Sequence, residues 1–87
     1  MEYQFSTHAL QQMLLRSISK DIVENVLRNP DQKNKVEDLT VFQSIINTDS
    51  GEVYLLRVFV NEKRDPKLIV TVYKTTKIQK YYEGQIW

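Results

Sequence analysis

The sequence contains no cysteine, which excludes disulfide bonds, thiolate metal sites and a cysteine nucleophile. Glycine is almost as scarce, since the chain has only Gly51 and Gly84 and therefore no glycine-rich phosphate loop. A single histidine among scattered carboxylates does not provide the ligands of a zinc site. We therefore predict neither a metal site nor a bound cofactor.

Long apolar runs are also missing. No stretch approaches the length needed to cross a bilayer, so no membrane association is predicted. The N-terminal residues 1–5 lack the basic region and apolar run of a signal peptide. A secreted chain this short would usually carry disulfides, so we expect a cytoplasmic protein.

The charges are unevenly distributed although the net charge is only +1. Residues 1–56 hold five basic and eight acidic side chains, and residues 57–87 hold seven basic and three acidic ones. Between Pro66 and Tyr82 the chain has four lysines and no acid. A basic stretch of this kind can attract phosphate even in a nearly neutral protein.

Two short helices are predicted near the N-terminus. The first runs from about Thr7 to Arg16 after an N-cap at Ser6, and the second from about Lys20 to Arg28 after an N-cap at Ser19. Helical spacing predicts that the first helix packs through an apolar stripe, formed by Leu10, Met13 and Leu14. Its opposite face would then carry His8, Gln12 and Arg16.

The pattern then changes to that of β-strands. Strands are predicted at 39–46, 52–60 and 68–73, with a turn at 48–51, a polar loop at 61–66 and short strands at 32–36 and 2–5. The length fits a single domain over residues 1–87. We expect residues 78–87 to form a tail that is mobile or that docks on the domain or on a partner. We expect an α+β fold with two N-terminal helices packed on a curved antiparallel sheet of about four strands.

His8 and Arg16 are the first candidates for chemistry. His8 is the only side chain that ordinarily titrates near neutral pH and can act as a general base, and the alternative is a histidine bonded to the backbone. Arg16 offers a planar fork suited to phosphate, and the alternative is a solvated arginine or one paired with Glu24 or Asp21.

Arg57 interrupts an apolar strand, where alternation places it on the side of Leu55 and Phe59. A charge in that position is costly unless it is paired or reaches the edge of the core. Two interpretations stay open at this point: a structural carboxylate pairs with Arg57, or the guanidinium projects into a concave anion site.

The end of the last strand carries Tyr73, Lys74, Thr75 and Thr76, with Lys77 beyond it. Such hydroxyl and amine groups can bind phosphate, and aromatic rings among lysines can stack on single-stranded bases. The alternative is an ordinary exposed strand end whose lysines discourage edge-to-edge pairing.

Three sequence blocks resemble a family of small prokaryotic domains of unknown function: F-S-x-H-A at 5–9, M-x-x-R-x-I-S at 13–19 and V-L-x-N-P at 26–30. The segments 56–58 and 69–73 fit the family as well. Ser17 departs from the pattern, because the family often has glycine there. The serine at this position affects a turn and none of the candidate catalytic or phosphate-binding residues.

The resemblance implies a relation to the RelE/ParE and BrnT toxins of the barnase-like and colicin-like ribonucleases. It implies a metal-independent ribonuclease in which the 2′-hydroxyl of RNA attacks the adjacent phosphate, and an antitoxin protein as partner. The functional positions that it implies are His8, Arg16, Arg57 and Tyr73 or Thr75. We predict His8, Arg57 and Tyr73 as catalytic residues, and Arg16, Lys74 and Thr75 as phosphate ligands. The alternative is a non-catalytic RNA- or protein-binding module of the same fold, as monomer or homodimer.

Overall fold

The computed structural model describes residues 3–82, which form three helices and one sheet. In chain order the elements are β1 (Tyr3–Phe5), α1 (Thr7–Leu15), α2 (Lys20–Arg28), β2 (Gln32–Val36), β3 (Leu39–Asn47), β4 (Val53–Asn61), β5 (Lys67–Thr75) and α3 (Ile78–Tyr81). The α+β class, the two N-terminal helices and the predicted strands are confirmed. Of the predicted tail, residues 83–87 lie outside the described residues.

The sheet has five strands in the order β1-β5-β4-β3-β2. Strands β2 to β5 form an antiparallel meander, whereas β1 pairs with β5 in parallel through Tyr3 and Lys67 at one end and Phe5 and Ile69 at the other. The expectation of an antiparallel sheet of about four strands is therefore corrected to a mixed sheet of five. A three-residue strand carries little sequence signal, and its direction depends on a partner more than sixty residues away along the chain.

Both helices begin where the serine caps predicted. The Ser6 side chain accepts a hydrogen bond from the Ala9 backbone N–H at 2.9 Å, and the Ser19 side chain accepts one from Ile22 at 3.2 Å. The Ser6 hydroxyl also donates to the Val70 carbonyl at 2.7 Å. This second bond fixes the start of α1 against β5, so that one residue both caps the helix and docks it on the sheet.

The predicted apolar stripe of α1 is wrong in two of its three positions. The helix buries Ala9 and Met13, while Leu10 is 42% exposed and Leu14 is 83% exposed. The reason is a rotation of the helix about its axis, which turns the small side chain of Ala9 towards the sheet and allows a close approach. The larger leucines are left on the outside.

The core lies between α1, α2 and one face of the sheet. Alternate residues of β4 (Tyr54, Leu56, Val58 and Val60) pack in one cluster with the buried residues of the two helices. The intervening residues, among them Arg57, therefore belong to the opposite face of the sheet. Within residues 3–82 no helix is long and apolar enough to cross a membrane.

Ser17 joins α1 to α2 in a left-handed backbone conformation, with φ at 54°. A side chain in this region costs roughly 1–2 kcal/mol, which glycine avoids. The geometry gives a physical reason for the glycine that resembling sequences often carry at this position.

We expect Ser17→Gly to raise the free energy of unfolding by about 1 kcal/mol, because relief of the left-handed strain outweighs the added chain entropy. The matched control is Gln11→Gly at an exposed position within α1, which should lower stability by about 1 kcal/mol. Urea unfolding measures both. Equal destabilisation by the two changes would contradict the strain at Ser17.

Candidate functional site

A row of polar residues crosses the sheet on the face away from α1 and α2. Strand register places Gln32 opposite Gln43, Gln43 opposite Arg57, and Arg57 opposite Tyr73. Cross-strand partners share a face, so these four side chains form a continuous line over β2, β3, β4 and β5. The sequence prediction that Arg57 lies on the side of Leu55 and Phe59 agrees with this register.

Arg57 is held without a carboxylate. Its Nε donates to Oε1 of Gln43 at 3.0 Å, and its guanidinium lies over the rings of Phe59 and Tyr81 with centroids at 5.1 and 4.4 Å. No acidic side chain within residues 3–82 forms an ion pair with it. Of the two interpretations left open by the sequence, the structural ion pair is therefore not found among the described residues.

The terminal nitrogens of Arg57 remain available to a ligand. They have no hydrogen-bond partner among residues 3–82, and no buried side-chain nitrogen or oxygen there lacks a partner, so they reach solvent. Partial burial lowers the pKa of the guanidinium, and the hydroxyls of Tyr81 and Tyr73 oppose that shift. Arginine keeps its charge at any physiological pH, so the site presents a fixed cation.

Gln43 connects Arg57 to two other elements. Its side chain is fully buried, and its Nε2 donates to Oε1 of Gln32 at 2.8 Å and to the backbone carbonyl of Tyr81 at 3.1 Å. Its Oε1 accepts from Arg57. Both ends of the amide are thus satisfied, and one side chain links β2, β4 and α3.

Tyr81 reaches the site from α3 and packs against Tyr73. The two ring centroids are 5.9 Å apart in an edge-to-face arrangement. The Tyr73 hydroxyl, acting as a hydrogen-bond donor, lowers the pKa of the Tyr81 phenol, and Lys80 and Arg57 act in the same direction against the effect of burial. Two phenols, one of them with a lowered pKa, therefore lie beside the guanidinium.

Thr75 turns the chain from β5 into α3. Its hydroxyl is nearly buried and accepts a hydrogen bond from the backbone N–H of Lys77 at 3.0 Å. The first turn of α3 follows at once, because Lys80 N–H donates to the Lys77 carbonyl at 3.2 Å. In the structure Thr75 helps to position Tyr81, and its predicted part in phosphate binding stays a prediction.

A groove of about 480 Å³ lies between the end of α1 and the end of β5. Its lining is formed by Leu15, Arg16, Ser17, Lys74, Thr75 and Thr76. The structure thus brings the three predicted phosphate ligands together. Arg16 has no ion pair within residues 3–82, whereas Lys74 lies 3.7 Å from Glu52 and over the ring of Tyr54.

The structure does not place His8 next to Arg57. It is exposed in the first turn of α1. Arg16 follows His8 by eight residues, so the two lie about 12 Å apart along the helix axis. Its neighbour Ala9 packs into the core on one face of the sheet, while Arg57 belongs to the other face. The side chain of His8 has no hydrogen bond or ion pair with another described residue. Its predicted catalytic part stays a prediction.

Sequence reasoning did not select Gln43 and Tyr81 as site residues. Gln43 had a signal, because it lies in phase with the apolar residues Val41 and Ile45 of the same strand. A polar residue in that phase must find partners. Tyr81 had no such signal in the sequence, because the contact of its ring with Arg57 depends on the turn that follows Thr75.

The family model described as "Domain of unknown function (DUF4258)" matches residues 5–74, which is most of the chain. The chain belongs to this family. No curated protein and no solved structure matches the chain. The resemblance to a domain family of unknown function is thus confirmed, while its relation to the RelE/ParE and BrnT toxins stays a prediction. The part of this DUF4258 domain that matches includes Arg57 and Tyr73 and ends before Tyr81.

Tyr73→Phe should raise the pKa of Tyr81 towards the ordinary phenol value, because the hydroxyl that chiefly stabilises its phenolate is removed. The titration is followed by NMR of isotope-labelled tyrosine rings, with the Tyr81 signal assigned from Tyr81→Phe. Tyr3→Phe, which removes a phenol from β1, is the control and should leave that titration unchanged. An unchanged Tyr81 pKa in Tyr73→Phe would show that the two hydroxyls do not interact.

Gln43→Met should lower the free energy of unfolding by about 1–3 kcal/mol, because a side chain of similar size replaces three hydrogen bonds and leaves buried polar groups unpaired. Gln79→Met on the exposed surface of α3 is the control and should change stability little. Urea unfolding measures both. A loss no greater than that of the control would mean that the amide does not link the three elements.

Proposed function

We propose that this domain is a metal-independent ribonuclease of the toxin type, with its reaction centre at Arg57, Tyr73 and Tyr81. The observation that supports this is a half-buried guanidinium without a carboxylate partner, placed beside a phenol whose pKa is lowered. A fixed cation suits a phosphate, and an acidic phenol suits proton transfer.

RNA fits the site because it supplies its own nucleophile. The planar fork of Arg57 can bind two non-bridging oxygens of one phosphate. Tyr73 is 38% exposed and offers a ring on which a base can stack. In the groove between the ends of α1 and β5, Arg16 and Lys74 can contact another phosphate of the same strand.

In the proposed reaction the Tyr81 phenolate takes the proton of the 2′-hydroxyl. The 2′ oxygen then forms a bond to phosphorus, while the bond from phosphorus to the 5′ oxygen breaks. Arg57 stabilises the charge that develops on the phosphate oxygens. The leaving 5′ oxygen takes a proton from Tyr73, so the products are a 2′,3′-cyclic phosphate and a free 5′-hydroxyl.

The proposal includes the RelE/barnase-like arrangement, a cytoplasmic location and an antitoxin protein as partner. It differs from the sequence expectation in one role. Tyr81 takes the place of His8 as the base, because Tyr81 lies over Arg57 and His8 lies on the helical side of the sheet.

The test is cleavage of a single-stranded RNA oligonucleotide by the full chain in the presence of a chelator. Arg57→Gln and Tyr81→Phe should each lower the rate about a hundredfold, since one loses the cation and the other the proton acceptor. His8→Ala should change it less than about threefold, because an acid–base group would cost far more. Circular dichroism checks that each variant is folded.

The wild-type rate should rise with pH until the Tyr81 phenol is ionised, and Tyr73→Phe should shift that rise to higher pH. Cleavage that is unchanged in Tyr81→Phe but lost in His8→Ala would move the base to His8. Absence of cleavage by wild-type protein at neutral and mildly alkaline pH, together with healthy growth of bacteria that express the chain, would reject the ribonuclease.

A non-catalytic RNA-binding module is the second candidate, and the contact of the Tyr81 ring with Arg57 favours it. An aromatic ring already stacked on the cation occupies one face of the site. This alternative predicts RNA binding that weakens with salt and with Arg57→Gln, but no cyclic phosphate product. Filter binding and product analysis on the same RNA separate the two functions.

A further inference from the structure

Three leucines of α1 face outwards and form what we call the leucine surface. Leu10 is 42% exposed, Leu14 is 83% exposed and Leu15 is 74% exposed. Leu10 and Leu14 are one helical turn apart, and Leu15 follows directly. Scattered exposed leucines are ordinary, but a contiguous group on one helix is typical of an interaction surface.

The leucine surface continues into the groove described above. Leu15 lines that groove together with Arg16 and Lys74, and no carboxylate is among its lining residues. Arg16 has no ion pair within residues 3–82. The apolar surface is therefore bordered on this side by a free cation.

A second copy of the chain is a poor occupant. Antiparallel packing of two α1 helices would place each Arg16 at the positive N-terminus of the other helix, whose first turn has no acidic residue. Parallel packing would bring the two Arg16 side chains together. Self-association therefore brings like charges together in either orientation.

We propose that the leucine surface binds an amphipathic helix of a partner protein, whose aliphatic stripe covers Leu10, Leu14 and Leu15 and whose acidic flank pairs with Arg16. Apolar contact supplies most of the affinity. The carboxylates of the partner determine the orientation of its helix. They also make the binding depend on salt concentration, as expected of charges at the edge of an interface. The partner helix crosses the mouth of the groove and brings its acidic side chains to Arg16 and Lys74.

One consequence rests on the proposed function. If the groove also takes an RNA phosphate, the acidic helix and RNA compete for Arg16 and Lys74, and the partner lowers cleavage without touching Arg57. The docking itself needs no RNA.

The test uses the full chain and a synthetic helical peptide with an aliphatic stripe flanked by glutamates. A matched peptide has lysines in place of the glutamates. Calorimetry should show saturable binding of the glutamate peptide and at least tenfold weaker binding of the lysine peptide. Leu14→Ser should weaken binding at least tenfold and Arg16→Gln severalfold. Lys33→Gln on β2 is the charge control and should leave binding unchanged.

Leu14 and Arg16 are exposed, so their variants should unfold at the wild-type urea concentration, and weaker binding then reports the surface itself. Failure of the glutamate peptide to bind, or equal binding of both peptides, overturns the proposal. Concentration-dependent dimerisation that Leu14→Ser abolishes also overturns it, because the occupant is then a second copy. Peptide binding that RNA does not displace leaves the docking intact and rejects only the shared groove.

Discussion

A guanidinium on a sheet strand must find partners for its charge, and that requirement organises the polar half of this domain. Arg57 is partly shielded from water, and no carboxylate within residues 3–82 pairs with it. A buried amide oxygen and two aromatic rings stabilise it instead. Because the amide belongs to Gln43, whose nitrogen bonds to β2 and α3, the solvation of one cation also fixes the position of two elements.

The alternation of β4 divides the molecule into two environments. Residues facing α1 and α2 are apolar and form the core, while the intervening residues carry the row that ends in Tyr73. A site built on central strands is held by their backbone ladder, so it needs few dedicated contacts. The period of the strand thus separates the side chains that pack against the helices from those that form the polar row.

The first helix packs on the core and reaches the groove at its C-terminal end, without entering the polar row. Ala9 and Met13 anchor it, and the end of α1 places Arg16 beside the last residues of β5. The rotation that buries Ala9 also exposes Leu14. The same geometry therefore creates a cationic groove and an apolar surface next to each other, at the end of the domain where the two proposals would have an acidic helix and an RNA strand compete.

The sequence by itself determined the local structure: the serine caps of both helices, the ends of α2, the strands β2 to β5 and the face on which Arg57 lies. These follow from hydrogen bonds and periodicities that involve neighbouring residues. It also selected Arg57 and Tyr73, which the register places opposite each other. Only the tertiary structure decided the parallel pairing of β1 and the rotation of α1. It also decided that His8 lies on the side of the sheet opposite to Arg57 and that the Tyr81 ring packs on Arg57. Those features depend on the relative positions of distant segments, which side-chain volumes and buried hydrogen bonds determine and no local pattern records.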